Sequence, residues 1–303
     1  MISQAPADRP HLMIVDSFAL LFRGLYALAA NGNYMRTTYG LCTNGLYQFT
    51  RYLMDALRQF RPTHLVCAFD MGQSTFRNEL YPDYKAHREA APEELVPQFD
   101  KLKELVAAFD IPCAGREGYE ADDVIGTLAA RFSAQGVRVS ILTGDGDTLQ
   151  LIDRNTRVLL MKKGFGRYQP VDLDNLEEER GVRDPRQIID LKALMGDPAD
   201  NIPGCPGVGP KTALKLIREY GSVEGVYAHL ADIKGKLRER LEAFEEQVFL
   251  SRNLATIRTD VDIALELAQC AIGWSRDKVV PVLEELEFTS LIRSLPKFDP
   301  AVS

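Results

Sequence analysis

The chain has 303 residues, 46% of them hydrophobic, and a formal net charge of −7. That size buries a substantial core, as one large domain or two closely joined lobes. Five scattered cysteines without Cys-x-x-Cys spacing exclude a disulfide framework or a zinc site. With no basic, apolar leader at the start, they fit a cytoplasmic protein that avoids membranes.

His11-Leu12-Met13-Ile14-Val15-Asp16 reads as a buried strand ending in an acid. Ser17 to Ala30 follows with helical spacing and carries Arg23. Asn44 to Phe60 is a second amphipathic helix, and His64 to Asp70 repeats the apolar strand with a terminal aspartate. Met71 to Gln98 breaks this rhythm: it holds Phe76, Arg77, Tyr81, Tyr84, Lys85, His87 and Arg88, and no apolar stripe for a core helix. We expect an exposed, mobile excursion above a site; a solvated charged loop is the plain alternative.

Phe99 to Phe109 reads as a helix and Ile111 to Cys113 as a short strand. Glu120, Asp122 and Asp123 then open a helix. The helix dipole explains one or two such acids anywhere, but three ahead of an apolar run ask for more. Val137 to Leu142 is another buried strand, followed by Asp145 and Asp147, which point to one side. An EF-hand is excluded because its later ligands are missing. Val158 to Met161 predicts a strand, with a Lys-Lys-Gly turn after it, and Leu173 to Arg180 a helix. Beyond Pro185 the pattern turns helical: Ile188 to Met195, Ser222 to Leu230, Lys236 to Leu254 and Lys278 to Leu295, with a closing strand over Asp260 to Leu267.

The richest stretch is Met195 to Ile217. Asp197 and Asp200 precede Gly207-Val208-Gly209-Pro210-Lys211-Thr212, the turn of a helix-hairpin-helix, with Lys215 one turn further on. Two glycines admit close backbone approach, Pro210 suits the first helical turn, and the helix's free N–H groups favour a phosphate. Such a turn grips a nucleic-acid backbone without reading bases. A tight turn between core helices is the bland alternative.

Alternating strands and helices predict a mostly parallel α/β sheet with its ligand at the carboxyl ends of the strands. Asp16, Asp70 and Asp145 lie at such ends, and the other acids reach the same edge. Together they would repel one another without hard divalent cations, Mg²⁺ or Mn²⁺, between them. Two ions about 4 Å apart suit in-line displacement at phosphorus, so the chemistry implied is phosphodiester hydrolysis. Setting nine such carboxylates against bound ions turns the net charge of −7 into about +2 elsewhere, so the acidity does not exclude a nucleic-acid partner.

Ala68-Phe69-Asp70, Tyr84-Lys85-Ala86-His87-Arg88, Tyr119-Glu120-Ala121-Asp122-Asp123 and Thr143-Gly144-Asp145-Gly146-Asp147 resemble the 5′-nuclease domain of bacterial DNA polymerase I, in the flap endonuclease superfamily. The resemblance runs from Ile14 to Leu291 and implies a PIN-like, resolvase-like core over residues 1–184, with an arch at 71–98. A helical lobe over 185–303 would carry the hairpin. By that likeness Asp16, Asp70, Glu120 and Asp122 hold one ion, and Asp147, Asp197 and Asp200 a second. Asp123 and Asp145 lie between or behind. Lys85 and Arg88 steady the scissile phosphate, Tyr84 stacks on a base, and Arg23 and Arg77 contact DNA. Gly207, Val208, Gly209, Lys211, Thr212 and Lys215 hold the downstream duplex, with K⁺ in the turn. The implied activity is 5′-3′ exonuclease and flap endonuclease cleavage of branched or nicked DNA, removing RNA primers and serving repair. The protein would act as a monomer, with a DNA polymerase as a partner. Gly146 departs from the larger or basic residue usual in relatives. No polymerase sequence follows Ser303, which fits a free-standing nuclease or an excised domain. Two other readings remain: a non-catalytic DNA clamp whose acids hold a structural ion, and a PIN-like ribonuclease, which usually lacks the hairpin.

Overall fold

The computed structural model describes residues 9–295 apart from 30, 31, 33 and 73. In chain order β1 (His11–Asp16) runs straight into α1 (Ser17–Ala29), and α2 (Asn44–Phe60) leads to β2 (His64–Ala68). Next come α3 (Phe76–Leu80), α4 (Val96–Ala108), β3 (Cys113–Ala114), α5 (Ala121–Ala134) and β4 (Arg138–Thr143). A 3₁₀ turn at Asp147–Leu151 precedes β5 (Thr156–Met161), β6 (Tyr168–Val171) and α6 (Leu176–Arg180). The remainder is helical: α7 (Gln187–Met195), α8 (Pro210–Tyr220), α9 (Val223–Ala228), α10 (Gly235–Ala243), α11 (Glu245–Ala255), α12 (Arg276–Glu285) and α13 (Thr289–Ser294). Ala30, expected to end the first helix, lies outside the described residues.

The six strands form one sheet in the order β3-β2-β1-β4-β5-β6, parallel except for β6 at the edge. Strands covered on both faces must be apolar on both, which is why β1 reads as a continuous hydrophobic run. Met13, Val15, Leu65, Cys67, Leu142 and Leu159 face a core shared with α1, α2, α4 and α12. Leu12, Ile14, Val66, Val139, Ile141 and Val158 face α5. The strand order reverses between β1 and β4, and in open α/β sheets a crevice for ligand lies above the carboxyl ends at such a reversal.

The helical lobe has its own core, with Leu194, Val208, Leu216, Ile217, Val226, Leu241 and Val248 at its centre. The expected division at residue 185 needs one amendment. Trp274, Val279, Leu283, Phe288 and Leu291 return to the sheet side and pack with α2 and α4, and Trp274 meets the Phe109 ring edge-on at 5.3 Å. The last two helices therefore belong with the α/β core.

Three other expectations are corrected. The segment 260–267 forms no strand, although Val261, Ile263 and Leu265 alternate inward. Side chains of α5 take its backbone groups instead: Thr127 Oγ1 accepts from Val261 N, and Arg131 donates to the carbonyls of Ile263 and Leu265. The single helices expected over 236–254 and 278–295 are each two, broken at Phe244 and at Glu287, whose φ is +59°. The excursion 71–98 is not wholly exposed. It forms α3, capped by Thr75, and buries Arg77, Tyr84, Leu95 and Gln98.

Candidate active site

The elements that end at the crevice each deliver an acid. Asp16 closes β1, where its Oδ1 accepts from Ala19 N at 3.2 Å as a helix cap does, and its Oδ2 accepts from the Thr143 hydroxyl at 2.7 Å. Thr143 ends β4, so one bond ties the two strands at the switch point. Asp70, just past β2, accepts from Ala121 N at 2.9 Å at the start of α5, where the helix dipole favours a carboxylate. Glu120 caps that helix and Asp122 sits in its first turn. Asp145 follows β4 and accepts from Asp147 N at 2.9 Å.

Asp197 and Asp200 come from the helical lobe on a turn closed by reciprocal backbone bonds of 2.9 Å between Asp197 and Ile202. Gly204 makes this turn possible: its φ is +62°, and a Cβ there would stand 2.1 Å from Gly196 N. The turn brings oxygens of Asp147, Asp197 and Asp200 within 4.8 Å of one another.

The electrostatics record the crowding. Burial, and then the nearby Asp70 and Asp145, push Asp16 up to about 6 against the stabilising bonds from Thr143 and Ala19. Burial and Asp145 push Asp147 to about 6 even with Lys192 beside it. Asp122 is raised well above the ordinary range by burial, Asp16, Asp145 and Glu120, and Asp70 is raised by burial and Glu120. Burial also opposes ionisation of Asp200, but Lys85, Arg88 and Lys192 outweigh it and hold that carboxyl low.

Three cations face these acids. Lys85 Nζ lies 2.5 Å from Glu120 and 3.7 Å from Asp200, and Arg88 lies 2.5 Å from Asp200. Lys192, on α7, bridges Asp147 and Asp197. Sequence reasoning missed Lys192. Its one signal was the spacing to Asp197, five residues on and just past a helix end, which places the ammonium beside the turn.

Three expected site residues have other employment. Arg77 is 2% exposed and cannot reach DNA; it forms a bidentate pair with Asp123 at 2.7 and 2.8 Å and donates to the carbonyls of Leu254 and Thr256. Asp123 is fully buried, and its oxygens serve Arg77 and the backbone N–H groups of Glu120 and Arg258, which leaves none for an ion. Tyr84, 3% exposed, has no free ring face for a base; its hydroxyl shares its one proton between Glu120 Oε2 at 3.1 Å and Asp200 Oδ2 at 3.3 Å. Charged and aromatic residues in a polar stretch suggested exposure, but the buried pair of Arg77 with Asp123 pins α3 onto α5.

The foot of the excursion is fastened to the acid turn. Lys85 N donates to Asp200 O at 2.9 Å, and Asn201 Nδ2 donates to Asp83 O at 2.7 Å. Lys85 and Asn201 both hold left-handed backbone, φ +56° and +58°, which non-glycine residues adopt at a cost.

Beyond the acids, Gly207 takes φ +78°, Gly209 precedes α8, and Pro210 occupies its first position. Lys211 and Lys215 are exposed on α8, Thr212 is half-buried, and the Val208 side chain is buried in the lobe, leaving only its backbone outward. Arg23 is half-buried and donates to Lys162 O.

A doubly wound sheet with acids along its carboxyl edge, joined to a helical lobe, is also the fold of T5 5′-exonuclease. That protein, solved with bound divalent metal ions (zinc), matches with a TM-score of 0.65 and 26% identity, covering 94% of this chain and 98% of that one. Residues 11–180 match the 5′-3′ exonuclease N-terminal resolvase-like domain, and residues 183–277 the C-terminal SAM fold of the same family. The chain therefore belongs to the 5′-3′ exonuclease family. It is 41% identical to a 5′-3′ exonuclease of Bacillus subtilis, over 95% of this chain and 97% of that protein. It is 42% identical to DNA polymerase I of Bacillus caldotenax over 94% of this chain, and spans about a third (32%) of that relative's length. No helix among the described residues is long and apolar enough to cross a membrane.

Proposed function

We propose that the protein is a structure-specific 5′-nuclease that hydrolyses DNA phosphodiesters near the junction of single strand and duplex, as a 5′-3′ exonuclease and flap endonuclease. The observation that carries this is the meeting of eight acids from both lobes with Lys85 and Arg88 over them. Neither lobe alone supplies that combination.

The acids suit hard divalent ions. Burial and then neighbouring carboxylates raise Asp16, Asp122 and Asp147, and Asp147, Asp197 and Asp200 already hold oxygens within 4.8 Å of one another. Asp16, Asp70, Glu120 and Asp122 would hold one ion and Asp147, Asp197 and Asp200 the second, with Asp145 between them and Mg²⁺ or Mn²⁺ as the metal. When bound, the ions neutralise the phosphodiester and activate water. Lys85 and Arg88 hold positive charge at the crevice mouth, where they oppose charge developing on the phosphate. Thr143 fixes Asp16, Ala121 N fixes Asp70, and Tyr84 fixes Glu120 and Asp200.

The α7–α8 hairpin would grip the downstream duplex through the backbone at 207–209, with Lys211, Thr212, Lys215 and a K⁺ ion in the turn. Arg23 would meet the strand near the junction. A monomer working on nicked or flapped DNA and RNA primers in the cytoplasm, beside a DNA polymerase, fits this reading. Incubation with 5′-flap DNA and Mg²⁺ or Mn²⁺ tests it: cleavage near the junction is expected. Binding without cleavage under every divalent ion would identify a clamp, and preference for single-stranded RNA a ribonuclease.

A further inference from the structure

The carboxyl edge of the sheet gathers acids; the opposite edge gathers arginines. Register sets His11 beside Arg138 on β1 and β4, and Ser140 beside Arg157 on β4 and β5. All four project to the same face, since strand side chains alternate. His11 is fully buried with its Nε2 2.8 Å from Ser140 Oγ, which also accepts from Arg157 Nε at 3.0 Å. The Arg157 guanidinium lies 5.6 Å from the centre of the Phe60 ring. Arg9 reaches the same corner and donates to Gly136 O and Asn155 Oδ1.

No carboxylate among the described residues forms an ion pair with Arg9, Arg138 or Arg157. In a chain with 43 acids against 36 lysines and arginines, three neighbouring arginines without a carboxylate ion pair need an explanation. Arg138 Nε is buried with no hydrogen-bond partner, which leaves a charged donor unsatisfied. Burial and then Arg9 weaken the proton affinity of Arg138; burial and then Arg138 do the same to Arg157, against a favourable pull from Asp172. Burial, Arg138 and Arg157 push His11 to about 3, with a small opposing pull from the Arg61 carbonyl, so its ring is neutral at pH 7. A partly desolvated group of like charges is relieved by a counter-ion, and planar guanidinium forks suit the oxygens of a phosphate.

We propose that the amino ends of β1, β4 and β5 form a phosphate-binding site in which Arg138, Arg157 and Arg9 hold one phosphate group. The six residues of β1 separate it from the catalytic edge by about 17 Å, so its occupant does not touch the acids. A free phosphate, such as the 5′-phosphate of a mononucleotide, and a phosphate of a nucleic-acid strand share the required chemistry.

His11 makes the site observable, being one of four histidines in the chain. The full chain is titrated with inorganic phosphate in chelator at constant ionic strength, while the His11 ring resonances are followed by NMR. A saturable movement is expected, and Arg138→Gln weakens the apparent affinity about tenfold while leaving flap cleavage unchanged. If Arg138→Gln does not fold, Arg9→Gln at the exposed rim makes the same comparison. An oligonucleotide without terminal phosphates separates the sources. Movement of the His11 signals by it assigns the occupant to a strand; silence beside a response to inorganic phosphate assigns it to a free phosphate. His11 signals unmoved by either ligand, or moved identically in the arginine variants, overturn the proposal.

Discussion

Replacing Asp16 with asparagine should stabilise the metal-free protein while destroying its divalent-ion response. Asp16 titrates near 6 instead of 3.8 because burial, Asp70 and Asp145 disfavour its charge. Its favourable contribution to folding is complete below 3.8 and is lost as pH rises through about 6. Above that window the ionised carboxyl costs about 3 kcal/mol. An asparagine removes that cost but offers Thr143 an uncharged partner, a loss of about 1 kcal/mol, so a gain of about 2 remains at pH 7.5. With an unfolding entropy of about 2.1 cal/mol/K per residue, the melting temperature should rise by about 3 °C. The assay is calorimetry of both proteins in chelator from pH 4 to 8, then in Mn²⁺. The gain should vanish near pH 4, and in Mn²⁺ at 100 times its Kd the wild type should gain about 2.7 kcal/mol and overtake the variant. A variant less stable than wild type in chelator, by the same margin at pH 4 and 7.5, would refute the repulsion argument.

Arg77→Ala should cost about 3–5 kcal/mol, because it strands a buried Asp123 carboxylate; a DNA-binding defect with unchanged stability would contradict the buried pairing. Lys85→Ala should slow single-turnover cleavage more than it weakens flap binding, and equal losses in both would displace Lys85 from the phosphate. Lys192→Met should tighten divalent binding, because it removes a cation lodged between Asp147 and Asp197, while lowering metal-free stability; calorimetric titration with Mn²⁺ reads the first, and weaker binding would show that the ammonium assists the ions. Changing Lys211 and Lys215 together to alanine should reduce the salt slope of duplex binding by about 2, with an unaltered slope excluding α8 from the contact.

The central strands and their terminal acids were legible because both rest on local rules: apolar runs buried on two faces, and carboxylates stranded at their ends. Asn44–Phe60 was read to the residue, since its stripe carries the full helical period. The failures share another cause. Val261, Ile263 and Leu265 alternate as a strand does, yet alternation reports burial, and Thr127 and Arg131 on a distant helix took the hydrogen bonds a ladder would have used. Arg77 and Tyr84 look like surface residues until Asp123, Glu120 and Asp200 arrive from elsewhere in the chain. Lys192 was invisible for the same reason: a lysine on an amphipathic helix gains significance only from what the tertiary fold sets opposite it.

The fastening between the excursion and the Asp200 turn couples two tasks. Five groups link them: the Lys85 amide and ammonium, the Asn201 side chain, the Tyr84 hydroxyl and the Arg88 guanidinium. A DNA strand that displaced residues 83–88 would strain those links, and the strain would fall on a carboxylate proposed to grip metal. Geometry of the guest and readiness of the cleaving machinery would then become one variable, and a badly seated strand would leave the blade unset.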